Sequence, residues 1–355
     1  MDPLNLINLA RLMKDSAGSE SVRIGLIDGP VWISSSHFHE KNIVPLPPLP
    51  RINGCSNIDS TACKHGTFVA SILMGRRGTT VPAICPNCTL LVRPIFTEQS
   101  GSSEMPIATA SELADAIVDC VDAGARVLNM SIGLINPSQA DKRRVHHALD
   151  YARKAGVIPV VAAGNQGSIG QAIVTQHPWV IAVSSCDQSG TLAGESNLGR
   201  SIARWGIRAP GQDIVGLGPK GGPVTASGSS FAVPFVVGAL ALLISKFPAA
   251  SPQVLRAAIL GSQNVRKSIV PPLFNAEKAY AEIKRYHYML NSASSSTGPL
   301  MKKKPYKIRL PGFVKEGEVG LGDVVKKTTY AIGLRPCGGC QKRAAVLNRW
   351  IMFNS

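Results

Sequence analysis

The sequence predicts an α/β fold: a mostly parallel sheet flanked by helices on both faces, followed by a small basic extension. Two observations carry this. Apolar runs of strand length alternate with segments of helical periodicity from about residue 20 to residue 262. Two of those helical segments end at a glycine, Gly124 and Gly156, that opens directly onto the next apolar run.

The elements follow in order. Leu6, Leu9, Ala10 and Met13 recur at helical spacing, which predicts a short N-terminal helix. Val22 to Ile27 is an apolar strand that ends at Asp28. Pro45 to Pro50 is a proline-rich loop, and His65 to Met74 an apolar-periodic helix. Thr89 to Ile95 is a strand, Glu112 to Ala123 an amphipathic helix and Arg126 to Met130 a strand. Lys142 to Ala155 (helix), Val157 to Ala162 (strand) and Val180 to Ser184 (strand) continue the alternation. Ser230 to Ile244 reads as a buried helix, and Pro252 to Leu260 as a last amphipathic one.

Composition sets the bounds. With 45% hydrophobic and 17% charged residues over 355 positions, the chain is globular rather than disordered. Aromatics are only 5%, so the core must rest on Ala, Val, Ile and Leu. The longest apolar run, Phe231 to Ile244, is 14 residues, short of the roughly 20 that span a bilayer. No transmembrane segment is expected. Asp2, Lys14 and Asp15 leave no signal-peptide h-region, so the expected compartment is the cytoplasm. Eight cysteines are too few for a disulfide scaffold.

Charge divides the chain. Residues 301–355 hold 12 Lys and Arg against three acidic residues, a net +9 of the total +16. The segment before them, NSASSSTG from Asn291, has linker composition. The expected organisation is a helical extension over 1–20, a main domain over 21–290, a linker over 291–300 and a basic extension over 301–355. The extension suits an acidic peptide or an anionic surface. Nucleic acid is not the expected partner, because no recognition motif is present and the aromatics do not interleave with the basic run. Ala344 to Phe353 has the pattern of a short amphipathic helix.

Three segments carry chemistry. Asp28 ends an apolar strand, where a turn can aim a carboxylate into a crevice. His65 lies in CKHGTFVAS beside Gly66, which lets backbone approach closely. Ser230 lies in SGSSFAVP at the start of an apolar helix, whose free N–H groups suit a developing oxyanion. A serine hydroxyl needs a base, and the base needs a partner that fixes its tautomer. Asp28, His65 and Ser230 supply these types in that order. Asn165, in VVAAGNQG after a strand, adds a side-chain amide able to donate to an oxyanion. Each piece alone has a plainer reading, as a turn residue, a structural histidine, a helix cap or a strand exit. The set has the right order and contexts.

At these residues the sequence resembles the subtilisin-like serine proteases. The matching stretches are IGLIDGPV, HGTFVAS, VLNMSIG, VVAAGNQG, APGQDI and SGSSFAVPFVVGALALL, spanning about residues 20 to 262. The resemblance implies a serine endopeptidase with Asp28 as orienting acid, His65 as general base and acid, Ser230 as nucleophile and Asn165 as oxyanion donor. It implies that Ser131, Ile132 and Gly133 pair with the substrate backbone, and that Gly164 lines the pocket before the scissile bond. Ser229 stands where that family usually has Thr, and Phe231 where Met is common. The segment RRGTTVPAICPNC lacks the family's calcium loop, so no calcium and no cofactor are expected. The Asp28 strand begins some twenty residues in, so no inhibitory prodomain is expected.

LIDGPV, CTLLVRPIF and SFAVP are similar to one branch, the proteases that cut leader peptides from ribosomally made natural-product precursors in cyanobactin-type pathways. That implies a slow, selective enzyme acting on a dedicated precursor peptide. The other readings are a general intracellular or defence-associated protease, and a non-catalytic peptide-binding relative. Two further groups invite metal. Cys85 with Cys88 and Cys337 with Cys340 have zinc spacing within each pair, and His37 and His39 share a loop with Glu40. Plain thiols and solvated histidines are the favoured readings. Cys63, two residues before His65, is placed where its oxidation would disturb the site.

Overall fold

The computed structural model describes residues 2–33, 38–47, 55–98, 108–132, 138–170, 172–261, 268–295, 306–309, 318–320, 323 and 351–354. The chain forms two compact units, Met1–Tyr288 and Met289–Ser355.

In the first unit, seven strands form one sheet: β1 (Arg23–Asp28), β2 (Ile43–Pro45), β3 (Thr89–Pro94), β4 (Val127–Met130), β5 (Ile158–Ala162), β6 (Ile181–Cys186) and β7 (Gly206–Pro210). Their order is β2-β3-β1-β4-β5-β6-β7, and every neighbouring pair is parallel. This is the α/β fold the alternation predicts and the subtilisin-like architecture the resemblance implies. Strands β4, β5 and β6 are buried along their whole length, as befits a sheet covered on both faces.

Helices α3 (Thr61–Met74), α4 (Ala110–Asp122), α5 (Gln139–Lys154), α7 (Ser229–Lys246) and α8 (Pro252–Leu260) fall where periodicity puts them. Their starts lie one to four residues earlier for the first four, and side-chain caps set those of α3, α4 and α5. Ser60 accepts the Cys63 N–H through its side chain and starts α3 at Thr61, so His65 sits in the second turn rather than at the helix start. Capping boxes Thr109/Glu112 and Ser138/Asp141 start α4 and α5. Helix α7 is long and apolar enough to cross a membrane, yet 83% of it is buried inside the protein. It packs on β4 to β7 and α3.

The first twenty residues are not an extension. They form two short helices, α1 (Pro3–Leu6) and α2 (Leu9–Asp15), with Asn8 in the left-handed region between them. Ile7 and Leu9 are fully buried in the same core as α7. The Ala276 N–H donates to the Ile7 carbonyl at 2.8 Å, and Lys246 pairs with Asp15 at 3.0 Å. Helix α9 (Ala276–Ser295), which begins in this unit's sequence, was not legible as a helix and runs into the segment of linker composition. Asn275 caps it, and Ala276, Ala279 and Ile283 bury at helical spacing. Serine and alanine after a capped helix do not oblige it to stop. Helix α6 (Arg200–Trp205), β7 and the antiparallel hairpin of β8 (Ile214–Leu217) and β9 (Pro223–Ala226) also escape the pattern. Only Ile202 of α6 is buried, and no residue of β9 is.

The second unit holds three short strands, β10 (Tyr306–Arg309), β11 (Glu318–Gly320) and β12 (Ile351–Asn354), in the order β10-β12-β11. Strand β12 takes the end of the segment expected to be helical, parallel to β10 and antiparallel to β11. Ile351, Met352 and Phe353 are consecutive apolar residues without helical spacing, which suits a strand. Residues 344–350 lie outside the described residues.

Leu9→Ala tests whether the N-terminal helices belong to the core. A fully buried leucine truncated there lowers unfolding free energy by about 2–5 kcal/mol in urea denaturation. A loss below about 0.5 kcal/mol, the surface value, would contradict it.

Candidate active site

The chain leaves β1 for β2 and β3 on one side of it, then crosses to β4 on the other. That reversal opens a crevice at the carboxyl ends of β1 and β4. Asp28 is the last residue of β1, Ser131 follows β4, and Gly164 and Asn165 follow β5 shortly after its end.

Asp28 is fully buried. Its Oδ1 accepts the Gly29 N–H at 2.6 Å and His65 Nδ1–H at 2.6 Å, while Oδ2 has no hydrogen-bond partner among the described residues. A carboxylate only accepts here, so Nδ1 carries the proton and Nε2 is left as the ring's base. The imidazole is 11% exposed, so the reactive edge reaches the surface from a largely dry setting. This contact needs α3 to touch the end of β1. A Cβ at Gly29 would lie 1.9 Å from the Ala62 carbonyl oxygen, and one at Gly66 2.4 Å from that of Gly29.

Ser230 is the second residue of α7 and is half-buried. The next side chain, Phe231, stacks on the His65 ring with centroids 5.2 Å apart and on Phe68 at 4.6 Å. This stack holds the start of α7 against the histidine helix. No Ser230–His65 hydrogen bond is among those of the described residues. Such contacts are often loose without substrate. The Ser131 hydroxyl donates to the Ser230 carbonyl at 3.3 Å.

Asn165 is exposed, and its amide is aimed by Ser229. The Ser229 N–H and Oγ–H both donate to Asn165 Oδ1, at 2.7 and 2.8 Å, and the Ser229 Oγ accepts the Gly164 N–H at 3.1 Å. With its oxygen engaged, the amide presents Nδ2–H as donor. Gly228, at φ +144°, would bring a Cβ to 3.0 Å from that Nδ2. Gly164, at φ +100°, would bring one to 2.3 Å from the Asn197 amide nitrogen. Ile132 is buried. Gly133 lies outside the described residues.

Beside His65, a cavity of about 550 Å³ is bounded by Ile58, Phe68, Pro223, Val224 and Phe231. Lys220 and Asp59 pair across its rim at 3.1 Å. Sequence reading missed this cavity, since β9 carries no pattern, and it noted Ser229 only as a departure from the family. The GSS run before an apolar helix was the available signal for Ser229.

Cys63 is not a free thiol: it forms a disulfide with Cys55. Cys85 and Cys88 are fully buried, and the hydrogen bond between them together with burial pushes the Cys85 thiol well up. Cys337 and Cys340 lie outside the described residues, as does His37, while His39 is exposed. Cys120 is core, its thiol pushed up to about 12 by burial. His146 is half-buried and packs edge-on against buried His177, whose basicity burial lowers.

A model of the Subtilase family matches residues 51–282. Subtilisin DY of Bacillus licheniformis is 30% identical over 261 residues, covering 71% of this chain and 86% of that protein. Among solved structures, a mutant of the protease domain of PatA superposes with a TM-score of 0.68 at 32% identity, covering 76% of this chain and 97% of that one. The prenylagaramide maturation protease PagA gives 0.67 at 28% identity, covering 78% and 98%.

Ser229→Ala leaves the Gly164 N–H without its buried acceptor and Asn165 Oδ1 with the Ser229 backbone N–H alone. The expected loss of stability is about 1–3 kcal/mol by urea denaturation. An unchanged midpoint would mean that the network does not hold this edge together.

Proposed function

The chain belongs to the subtilase family of serine proteases, and from that premise we propose that it is an endopeptidase that removes the leader from a ribosomally made precursor peptide. The observation that carries the catalytic reading is the 2.6 Å contact of buried Asp28 with His65 Nδ1, one stacked ring away from Ser230. His65 Nε2 takes the Ser230 hydroxyl proton as Oγ attacks the peptide carbonyl carbon. Asp28 holds the tautomer and offsets the charge on the imidazolium. Oxyanion charge falls on Asn165 Nδ2–H and on the Ser230 N–H, which lies in the first turn of α7 where no helical carbonyl accepts it. The C–N bond then breaks and His65 gives its proton to the leaving amine. Water, deprotonated by His65, attacks the acyl carbonyl and frees Ser230.

Precursor maturation rests on similarity. The solved structures it resembles include ones described as maturation proteases, patellamide's PatA and prenylagaramide's PagA, and the chain spans nearly all of each. Ser131, Ile132 and Gly133 would pair with the substrate backbone as an added strand. The cytoplasm is the compartment we propose, where the precursor is made.

A precursor digest read by mass spectrometry tests the chemistry. Ser230→Ala should lose at least about 10⁴-fold in turnover, and Asn165→Ala about 10²–10³-fold, both with the fold intact. Cutting by Ser230→Ala at the wild-type rate would overturn the mechanism.

The leaving amine must lie against His65, so the residue after the cut faces the apolar cavity beside it. Peptides with a large apolar side chain there should be cut with kcat/KM about tenfold or more above those with glycine. Equal values would remove the cavity from the binding site.

A further inference from the structure

The disulfide joins a loop to α3 two residues before His65, and the Glu98 carboxylate lies beside it. Cys63 is fully buried in α3, whereas Cys55 is 9% exposed on the loop. The intervening loop is gathered by one carboxylate. Glu98 accepts the Ser56 N–H at 2.7 Å on one oxygen and the Asn57 N–H at 3.0 Å on the other, and the Ser56 and Ser60 hydroxyls also reach it. A Glu98 oxygen and both sulfurs lie within 4.8 Å of one another. Donors around tetrahedral zinc stand about 3.5–3.8 Å apart, as zinc–sulfur and zinc–oxygen bonds of about 2.3 and 2.1 Å require. The three donors therefore converge with little movement once the sulfur–sulfur bond is gone.

We propose that Cys55, Cys63 and Glu98 form a zinc site in the reduced protein, so that the wall of the active-site cavity is tied either by a disulfide or by a metal ion. An external dithiol supplies the electrons. Its thiolate attacks the more exposed Cys55 Sγ, the Cys55–Cys63 bond breaks, and Cys63 leaves as thiolate. The reagent's second thiol then closes its own disulfide and releases Cys55. Zinc binding displaces both thiol protons to water. Two thiolates and one carboxylate suit zinc and disfavour magnesium or calcium. One Glu98 oxygen can bind the ion while the other keeps its hold on the loop backbone. Ile58, Asp59 and Thr61 of the tethered segment line the cavity beside His65, so either tie keeps that wall in place. In a reducing compartment the thiol form, and hence the metal form, would prevail.

The test uses the full chain, reduced with a phosphine, desalted without oxygen and titrated with zinc against a chromogenic chelator. Reduced wild type should hold one more zinc per chain than Cys55→Ser and than the oxidised protein. Glu98→Gln should weaken that zinc at least about tenfold. Zinc should also protect Cys55 from alkylation in peptide maps of reduced wild type, a readout that needs no substitution and separates this site from the other cysteines. Equal zinc uptake by wild type and Cys55→Ser, or equal alkylation of Cys55 with and without zinc, would overturn the proposal.

Discussion

No side chain fits between α3 and the end of β1. Gly29 and Gly66 face backbone there, with distances that leave no room for a Cβ. From that approach the rest of the site follows. It brings His65 onto a carboxylate that the sheet has already buried, and it fixes which ring nitrogen carries the proton. It also sets Phe68 where Phe231 can stack on both it and the imidazole, which draws the first turn of α7 to the histidine. The same first turns of α3 carry Cys63 and the loop that walls the cavity.

The opposite side of the crevice depends on a second joint. Ser229 accepts from Gly164 and donates to Asn165, so the exit of β5 and the entry of α7 form one hydrogen-bonded corner. Helix α7 therefore does two things with one stretch of sequence. Its apolar body is the centre of the core, and its first turn offers the Ser230 N–H to the crevice. A buried helix that holds one half-buried serine at the crevice supplies the rigidity electrostatic preorganisation requires.

Strands β1 and β3 to β6 and helices α3, α4, α5, α7 and α8 were readable from periodicity, because their packing repeats at the spacing of the chain. The order Asp28, His65, Ser230 and the context of Asn165 were readable too, since a strand end and a helix start announce themselves locally. What escaped reading was tertiary. The burial of residues 3–15 comes from α7 and α9, which are distant in sequence. The pairing of Cys55 with Cys63 has no spacing rule, and the Ser229 anchor looks like any helix start until β5 is placed beside it. The end of helix α9 was hidden because a run of serine and alanine resembles a linker in composition while remaining compatible with a capped helix.

The central claim is that Ser230 is a serine activated by His65 and Asp28. Intact-mass and peptide-map analysis of the folded protein after a serine-reactive phosphonate tests it most directly. The account predicts one adduct per chain, on Ser230, lost when His65 is replaced by alanine. No adduct on the folded protein, or an adduct on another residue, would contradict it.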